Sequence, residues 1–254
     1  LAQPVGIEKQ RKLTLSTRFL IVGLPRSGTT YLMTLINSHP KVRCEGEIFN
    51  PYGIVGAGWV NRDASELLRR DTAPKVYLDE FFGWKSFDGA LAIGAKWMIG
   101  HHPEIIEYVR EHTDIRIINV HRENKLAQTA SHLKAIQTNQ WATRDETKID
   151  RQLIDVGPRK LAQSAREKVT YDYLFSQWVQ SIENPVMTIE YCDMFKPGFN
   201  NNLCCFLGVP MTNQMASPLV KQGYNDILSR FVKREAIAKY FTQTGYSRWL
   251  EPEL

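Results

Sequence analysis

Long apolar runs are missing from this chain of 254 residues. The clearest short one, residues 19–24 (FLIVGL), falls far short of the ~20 residues a helix needs to cross a bilayer, so no helical membrane span is expected. The opening stretch LAQPVGIEKQRK lacks the apolar core of a secretion signal, and a cytoplasmic location is the expectation. Cysteine is scarce: Cys44, Cys192, Cys204 and Cys205. None has Cys-x-x-Cys spacing, and the adjacent Cys204 and Cys205 point to different faces of any helix. Neither a zinc site nor a disulfide framework is implied, and buried reduced thiols are expected. Nor is there a block of basic residues. Lys plus Arg is 32 against 27 Asp plus Glu, and the net charge of +5 is spread along the chain. That balance suits a small anionic ligand better than nucleic acid, which calls for a denser basic stripe. Repeats, low-complexity tracts and linkers are absent too, which predicts one domain over residues 1–254 behind a polar arm at 1–17.

What is present is alternation. Residues 18–23 (RFLIVG) form a branched apolar run ending in glycine, the pattern of a buried parallel strand. Residues 29–38 carry apolar positions at helical spacing and stop near His39, ahead of Pro40. Residues 41–90 read as irregular, with one helix near 64–70. Further strands are expected at 94–99, 115–120 (IRIINV) and 186–189. Helices are expected at 103–111, 125–137, 159–182, 201–207 and 229–241, with Tyr171, Tyr173, Phe175 and Trp178 in the core. Strands alternating with helices predict an α/β fold of P-loop type, three layers with a central parallel sheet flanked by helices.

The most informative segment is Gly23-Leu24-Pro25-Arg26-Ser27-Gly28-Thr29-Thr30. Its two glycines have the G-x-x-x-x-G spacing of a phosphate loop, set between a strand and a helix as that motif requires. Backbone N–H groups of such a loop converge on an anion, and the helix N-terminus adds partial positive charge. The lysine that normally follows the second glycine is replaced by Thr29. The strand 115–120 runs into His121-Arg122 rather than an acidic residue that would help to hold magnesium. The loop therefore reads as built for an anion delivered without metal, with Arg26 as its cation and Ser27, Thr29 and Thr30 as further donors. Arg122, just past a strand's carboxyl end, sits where open α/β sheets bind ligands.

The stretch LIVGLPRSGTTYL resembles the 5′-phosphosulfate loop of sulfotransferases, enzymes whose donor is 3′-phosphoadenosine 5′-phosphosulfate (PAPS). The stretch 120–124 (VHREN), running into LAQTASHLKAIQTNQW, resembles their 3′-phosphate segment. GEIFNPY (46–52), GAK (94–96), QTNQW (137–141) and PLVKQ (218–222) resemble blocks of bacterial carbohydrate sulfotransferases that act on trehalose, Nod factors or lipopolysaccharide. The resemblance implies PAPS as co-substrate, 3′-phosphoadenosine 5′-phosphate (PAP) as product, no metal, a carbohydrate or glycoconjugate acceptor and a homodimer. It implies donor contacts from Pro25, Arg26, Ser27, Gly28, Thr29, Thr30, Arg122, Ser131, Lys221 and Gln222. Ser131 follows Arg122 by nine positions where many sulfotransferases have eight, a position held here by Ala130. Glu47 is implied as the base, with Arg26 and Lys96 at the reacting centre, and Glu47, His101, Gln137 and Trp141 as acceptor contacts. Glu45 lies close by, and His101 and His102 are rival bases, because Met98 stands where cytosolic sulfotransferases carry their histidine. A kinase-like phosphotransferase and a non-catalytic nucleotide or glycan binder are the competing readings of the same loop.

Overall fold

The computed structural model describes residues 16–84, 87 and 89–254, so most of the expected arm at 1–17 lies outside the described residues. The elements run β1 (Thr17–Gly23), α1 (Thr29–Asn37), β2 (Val42–Glu47), a small hairpin of β3 (Ile54–Val55) and β4 (Val60–Asn61), α2 (Ala64–Thr72), α3 (Pro74–Phe82), β5 (Ala92–Met98), α4 (Glu104–Glu111), β6 (Arg116–His121), α5 (Lys125–Thr138), α6 (Pro158–Ser181), β7 (Val186–Glu190), α7 (Phe199–Leu207) and α8 (Arg234–Gln243). The main sheet has the order β2-β5-β1-β6-β7 and all its pairings are parallel. Gly23 pairs with both Met98 and Val120, so β1, β5 and β6 end level and their following loops open on one edge of the sheet. No helix among the described residues is long and apolar enough to cross a membrane.

Strand alternation divides the core in two. Phe19, Ile21, Ile118 and Val120 face one layer with Leu32 and Ile36 of α1 and Leu203 of α7. Leu20, Val22, Trp97 and Ile117 face the other, against Tyr77, Phe81 and Tyr108 from α3 and α4. A third cluster joins α5, α6 and α8 through Leu126, Ala130, Leu161, Ala165, Ile237 and Phe241, and takes in Trp249.

Four expectations need correction. Residues 42–82 carry regular elements: β2 (VRCEGE) is an edge strand whose exposed Arg43 breaks the look of a buried run, and α3 begins at Pro74, directly after the Ala73 that ends α2. The helix expected at 229–241 starts only at Arg234, because Phe231 is extended and bridges to Ile154. Tyr171 and Tyr173 are 51% and 62% exposed, since the inward face of α6 runs through Leu161, Ala165, Lys168 and Asp172, which meets Lys125, to Phe175 and Val179, and both rings lie off that line. Of the four thiols, Cys44 and Cys204 are buried, whereas Cys192 is half-buried and Cys205 exposed.

Gly94 sits opposite Phe19 in the centre of the sheet, and a Cβ there would lie 2.5 Å from the Phe19 ring and carbonyl oxygen. Gly94→Ala is expected to lower stability by about 1–3 kcal/mol as the strands are forced apart. An unchanged urea midpoint would refute this account of β1–β5 contact.

Candidate active site

The β1–α1 loop closes because three of its residues take conformations or approaches that few side chains allow. A side chain at Gly23 would collide with the Val120 carbonyl of β6. Arg26 adopts a left-handed backbone (φ 67), which a non-glycine residue accepts only where its surroundings hold it. Gly28 (φ 102) caps α1, and a Cβ there would stand 2.6 Å from Met194 Cε. No side chain caps α1 and no acidic residue stands in its first turn, so its N-terminal N–H groups and positive dipole end stay available. The Gln128 amide donates to the Pro25 carbonyl at 3.0 Å and pins the loop to α5. Ser27 is fully buried, and its hydroxyl has no partner among the described residues.

Arg26 ties the site together. Its Nε donates to Ser131 Oγ at 2.8 Å, its Nη2 to Gln222 Oε1 at 3.0 Å, and its Nη1 to the Trp141 carbonyl. The Arg122 Nη1 donates to the Arg26 carbonyl at 3.1 Å. Pocket walls of Gly28, Thr29, Thr30, Arg122, Ser131, Trp141, Tyr191, Lys221 and Gln222 enclose a cavity of about 220 Å³. Arg230 also lines it, from a 3-10 turn (Leu228–Arg230), with its Nε on the Tyr224 carbonyl at 3.0 Å. Among Arg26, Arg122, Lys221 and Arg230, only Arg122 has an ion-pair partner among the described residues, the Glu253 carboxylate. Burial and the neighbouring Arg122 charge lower both Arg26 and Arg230 to a pKa of about 10. Burial works against the Arg122 charge as well, but hydrogen bonds and attraction from Glu253 outweigh it and hold that pKa above its ordinary value. The Lys221 amine is depressed by burial. Arg230 was absent from the sequence reading. Its signal is an arginine set inside the apolar run ILSRFV, where a charge is rarely buried unless paired or used.

A second group stands at the ends of β2 and β5. A register shift between Glu45 and Glu47 lets Glu47 face Lys96, and the carbonyl of Val55 packs so closely on Gly46 that no side chain fits between them. Lys96, 5% exposed, donates to Glu47 Oε1 and to Thr30 Oγ1, both at 2.9 Å. Asn50 Nδ2 donates to Glu47 Oε2 at 2.8 Å. Burial raises the Glu47 pKa, but the Lys96 charge and the two hydrogen bonds outweigh it, and the carboxyl is held below its ordinary value. Glu45 points elsewhere, accepting from the Ala57 amide at 2.5 Å.

The structure thus brings Arg26, Gly28, Thr29, Thr30, Arg122, Ser131, Gln222, Lys221 and Trp141 around one cavity, with Pro25 and the buried Ser27 outside its lining, and links them through Thr30 to Lys96 and Glu47. His101 lies within electrostatic reach of Glu47. Its Nδ1 is buried without a partner among the described residues, and burial lowers its pKa. His102 turns away, its Nε2 3.1 Å from the Asp71 carbonyl. Gln137 is exposed and outside the cavity wall, while Gln140, three residues on, lines it. Trp141 is 47% exposed and sits with the loop rather than with Glu47.

The family model described as "Sulfotransferase family" matches residues 18–213. Nodulation protein H of Rhizobium meliloti strain 1021 is 30% identical over 126 residues, and that of Rhizobium tropici 27% identical over 126 residues. The first match covers 48% of this chain and 49% of the relative, so the chain spans about half the length of the curated relatives it matches. Among solved structures, a sulfotransferase domain from the curacin biosynthetic pathway superposes with a TM-score of 0.52 at 15% identity, covering 91% of this chain and 98% of its own. A sulfotransferase from Alicyclobacillus acidocaldarius gives 0.50 at 15% identity, covering 93% and 96%. At such identity these two show that the fold is shared.

Because Lys96 overcomes burial at Glu47, Lys96→Met is expected to move the Glu47 pKa above 4.5, the reverse of its present displacement. In the native chain this carboxylate adds stability that is present above its unfolded pKa and is lost as pH falls through the lower folded value. Carboxyl carbon NMR across the titration reads the shift directly, and an unmoved Glu47 pKa in the variant would refute the coupling.

Proposed function

The chain belongs to the sulfotransferase family, and from that premise we propose that it transfers the sulfuryl group of PAPS to a hydroxyl of a carbohydrate or glycoconjugate acceptor. The observation that carries this reading is the concentration of Arg26, Arg122, Lys221 and Arg230 around a glycine-flanked loop with a single paired carboxylate among them. A cavity so charged favours a ligand with more than one anionic group, as PAPS has in its 3′-phosphate and its 5′-phosphosulfate. In the proposal, Arg26 with the amides and hydroxyls of residues 25–30 takes the phosphosulfate, and Arg122, Ser131, Lys221 and Gln222 take the 3′-phosphate. Arg26 reaches both Ser131 and Gln222, so the two halves form one continuous donor site.

The reaction forms a bond from the acceptor oxygen to sulfur and breaks the bond from sulfur to the phosphate oxygen. Negative charge appears on that leaving oxygen, and the acceptor hydroxyl gives up a proton. Preorganised N–H groups and Arg26 answer the first demand without reorganising during the reaction. Glu47 answers the second, ionised at neutral pH and ready to accept. Lys96 joins the two, since its ammonium bonds at once to the base and to Thr30 of the loop. A lysine drawn toward charge growing on the loop side loosens its hold on Glu47 and makes it more basic when the proton arrives. The carbohydrate acceptor is supported by the resemblance of segments 46–52 and 137–141 to carbohydrate sulfotransferases, and by the similarity to Nodulation protein H. An indole face at Trp141 beside the Gln140 amide fits a sugar ring and its hydroxyls.

Two substitutions separate these roles. Arg122→Ala is expected to weaken PAP binding by about 10–100-fold while leaving AMP nearly unaffected, as loss of hydrogen bonds to a charged group implies. Equal losses for both nucleotides in calorimetric titration would contradict contact with the 3′-phosphate. Glu47→Gln is expected to keep PAP affinity while kcat falls by about 10²–10⁴ with labelled PAPS and a glycan acceptor. An undiminished kcat would remove Glu47 from the role of base.

A further inference from the structure

Arg122, the residue assigned above to a donor phosphate, already holds an anion supplied by the protein. Its Nε donates to Glu253 Oε1 at 2.6 Å and its Nη2 donates to Glu253 Oε2, with side chains 7% and 3% exposed. Its Nη1 donates to the Arg26 carbonyl, and the guanidinium lies over the Tyr191 ring at 4.4 Å. The carboxylate, the carbonyl and the ring together engage its Nε, both Nη groups and one of its faces. A carboxylate and a phosphate offer a guanidinium the same pair of oxygens, so Glu253 and a phosphate are alternative ligands for this fork.

The segment bearing Glu253 is arranged to let go. Its anchor is Trp249, buried in the third core cluster and stacked on Tyr246. Beyond that anchor Leu250 still packs on the cluster, Glu251, Pro252 and Leu254 are exposed, and Glu253 turns inward to Arg122. Asn124 Nδ2 donates to the Trp249 carbonyl at 3.1 Å and to that of Glu251 at 3.3 Å, and Cys192 Sγ donates to the Glu253 carbonyl at 3.2 Å. A stretch with so few apolar contacts opens at small free-energy cost once its ion pair is exchanged. The negative charge also sits in the cation cluster that any anionic ligand must enter, where it acts on Lys221 and Arg230 as well as on Arg122.

Resting on the donor reading, we propose that Glu253 is an internal ligand of the 3′-phosphate site, displaced when a donor phosphate takes the Arg122 fork. Residues 251–254 leave Cys192 and the Asn124 bond to the Glu251 carbonyl in the same step, while Trp249 stays anchored. The carboxylate thereby competes with the donor for one guanidinium: a nucleotide with a 3′-phosphate exchanges one anion for another, whereas a nucleotide without one leaves the Arg122–Glu253 pair closed. Donor affinity is reduced by the fraction of molecules in which the pair is closed.

The test compares the native chain with Glu253→Gln, which keeps the size and one hydrogen-bond acceptor but removes the charge. PAP is expected to bind the variant at least about tenfold more tightly, with AMP affinity changed by less than about threefold. In the native chain, hydrogen exchange at the amides of 251–254 is expected to speed up on adding PAP and to stay unchanged with AMP; this reading needs no variant. Equal PAP affinity in both proteins with unchanged exchange would overturn the proposal. Weaker PAP binding by Glu253→Gln would overturn it too, since Glu253 would then be orienting Arg122 for the donor. Failure of the native chain to bind PAP at all would take away the donor reading itself. PAP binding that falls in Arg122→Ala but is unmoved in Glu253→Gln keeps the donor reading and rejects only the internal ligand.

Discussion

Positive charge gathered where water is scarce is the constraint on which this site turns. Arg26, Arg122, Arg230 and Lys221 line one cavity, and of the four only Arg122 is paired with a carboxylate among the described residues. Taking a guanidinium out of water costs several kcal/mol unless its N–H groups are answered. Here neutral acceptors answer many of them: the Trp141 carbonyl, the Ser131 hydroxyl and the Gln222 amide oxygen for Arg26, the Arg26 carbonyl for Arg122, and the Tyr224 carbonyl for Arg230. Carbonyl dipoles satisfy hydrogen bonds without cancelling charge. The lowered pKa values of Arg26 and Arg230 record that remainder. An anion entering the cavity removes it, so ligand binding and fold stability are linked at this point.

Lys96 carries the same logic to the other side of β1. It is buried, and its two hydrogen bonds run to groups on different strand ends, Thr30 after β1 and Glu47 at the end of β2. The sheet order makes this possible. β5 lies between β2 and β1, so a lysine near its end reaches the neighbours on both sides. The resulting line from Thr30 through Lys96 to Glu47 spans loop, cation and carboxylate with no intervening gap.

How much of this was legible in the sequence depended on the range of the cause. The loop, β1, β6 and α1 follow from local pattern: a branched apolar run, glycines at fixed spacing, then helical periodicity. The Glu47–Lys96 pair depends on a strand register and its irregularity at Gly46, which no local pattern announces. Family resemblance pointed to both residues, whereas their contact emerged only from the fold. Helical geometry alone would have separated Ser131 from Gln137. Six residues on a helix of 3.6 residues per turn leave them roughly 120° apart, so a face that turns Ser131 to Arg26 turns Gln137 outward. Glu253 lay beyond reach, being 131 positions from the arginine it holds and set in a segment with no motif. The half-exposed Tyr171 and Tyr173 were misread because aromatic residues on a long helix look alike whether or not a sheet covers them.

In the proposed role of base Glu47 must be aimed as well as ionised, and its aim is set from behind. Asn50 holds one of its oxygens while Lys96 holds the other, so the carboxylate plane is fixed by two donors from different elements. Asn50 in turn belongs to a turn that α2 grips. Arg70 on that helix is almost wholly buried, donating to the carbonyls of Ile48 at 3.0 Å and Asn50 at 2.9 Å. A guanidinium spent on two carbonyls of one short turn leaves that turn little freedom to twist. The small helix of a segment that reads as irregular thus orients a carboxylate some twenty residues upstream. Positioning within a fraction of an ångström is what makes a proton acceptor effective. The edge strand, its irregular register and the arginine of α2 are therefore parts of one device whose output is the direction of a single pair of oxygens.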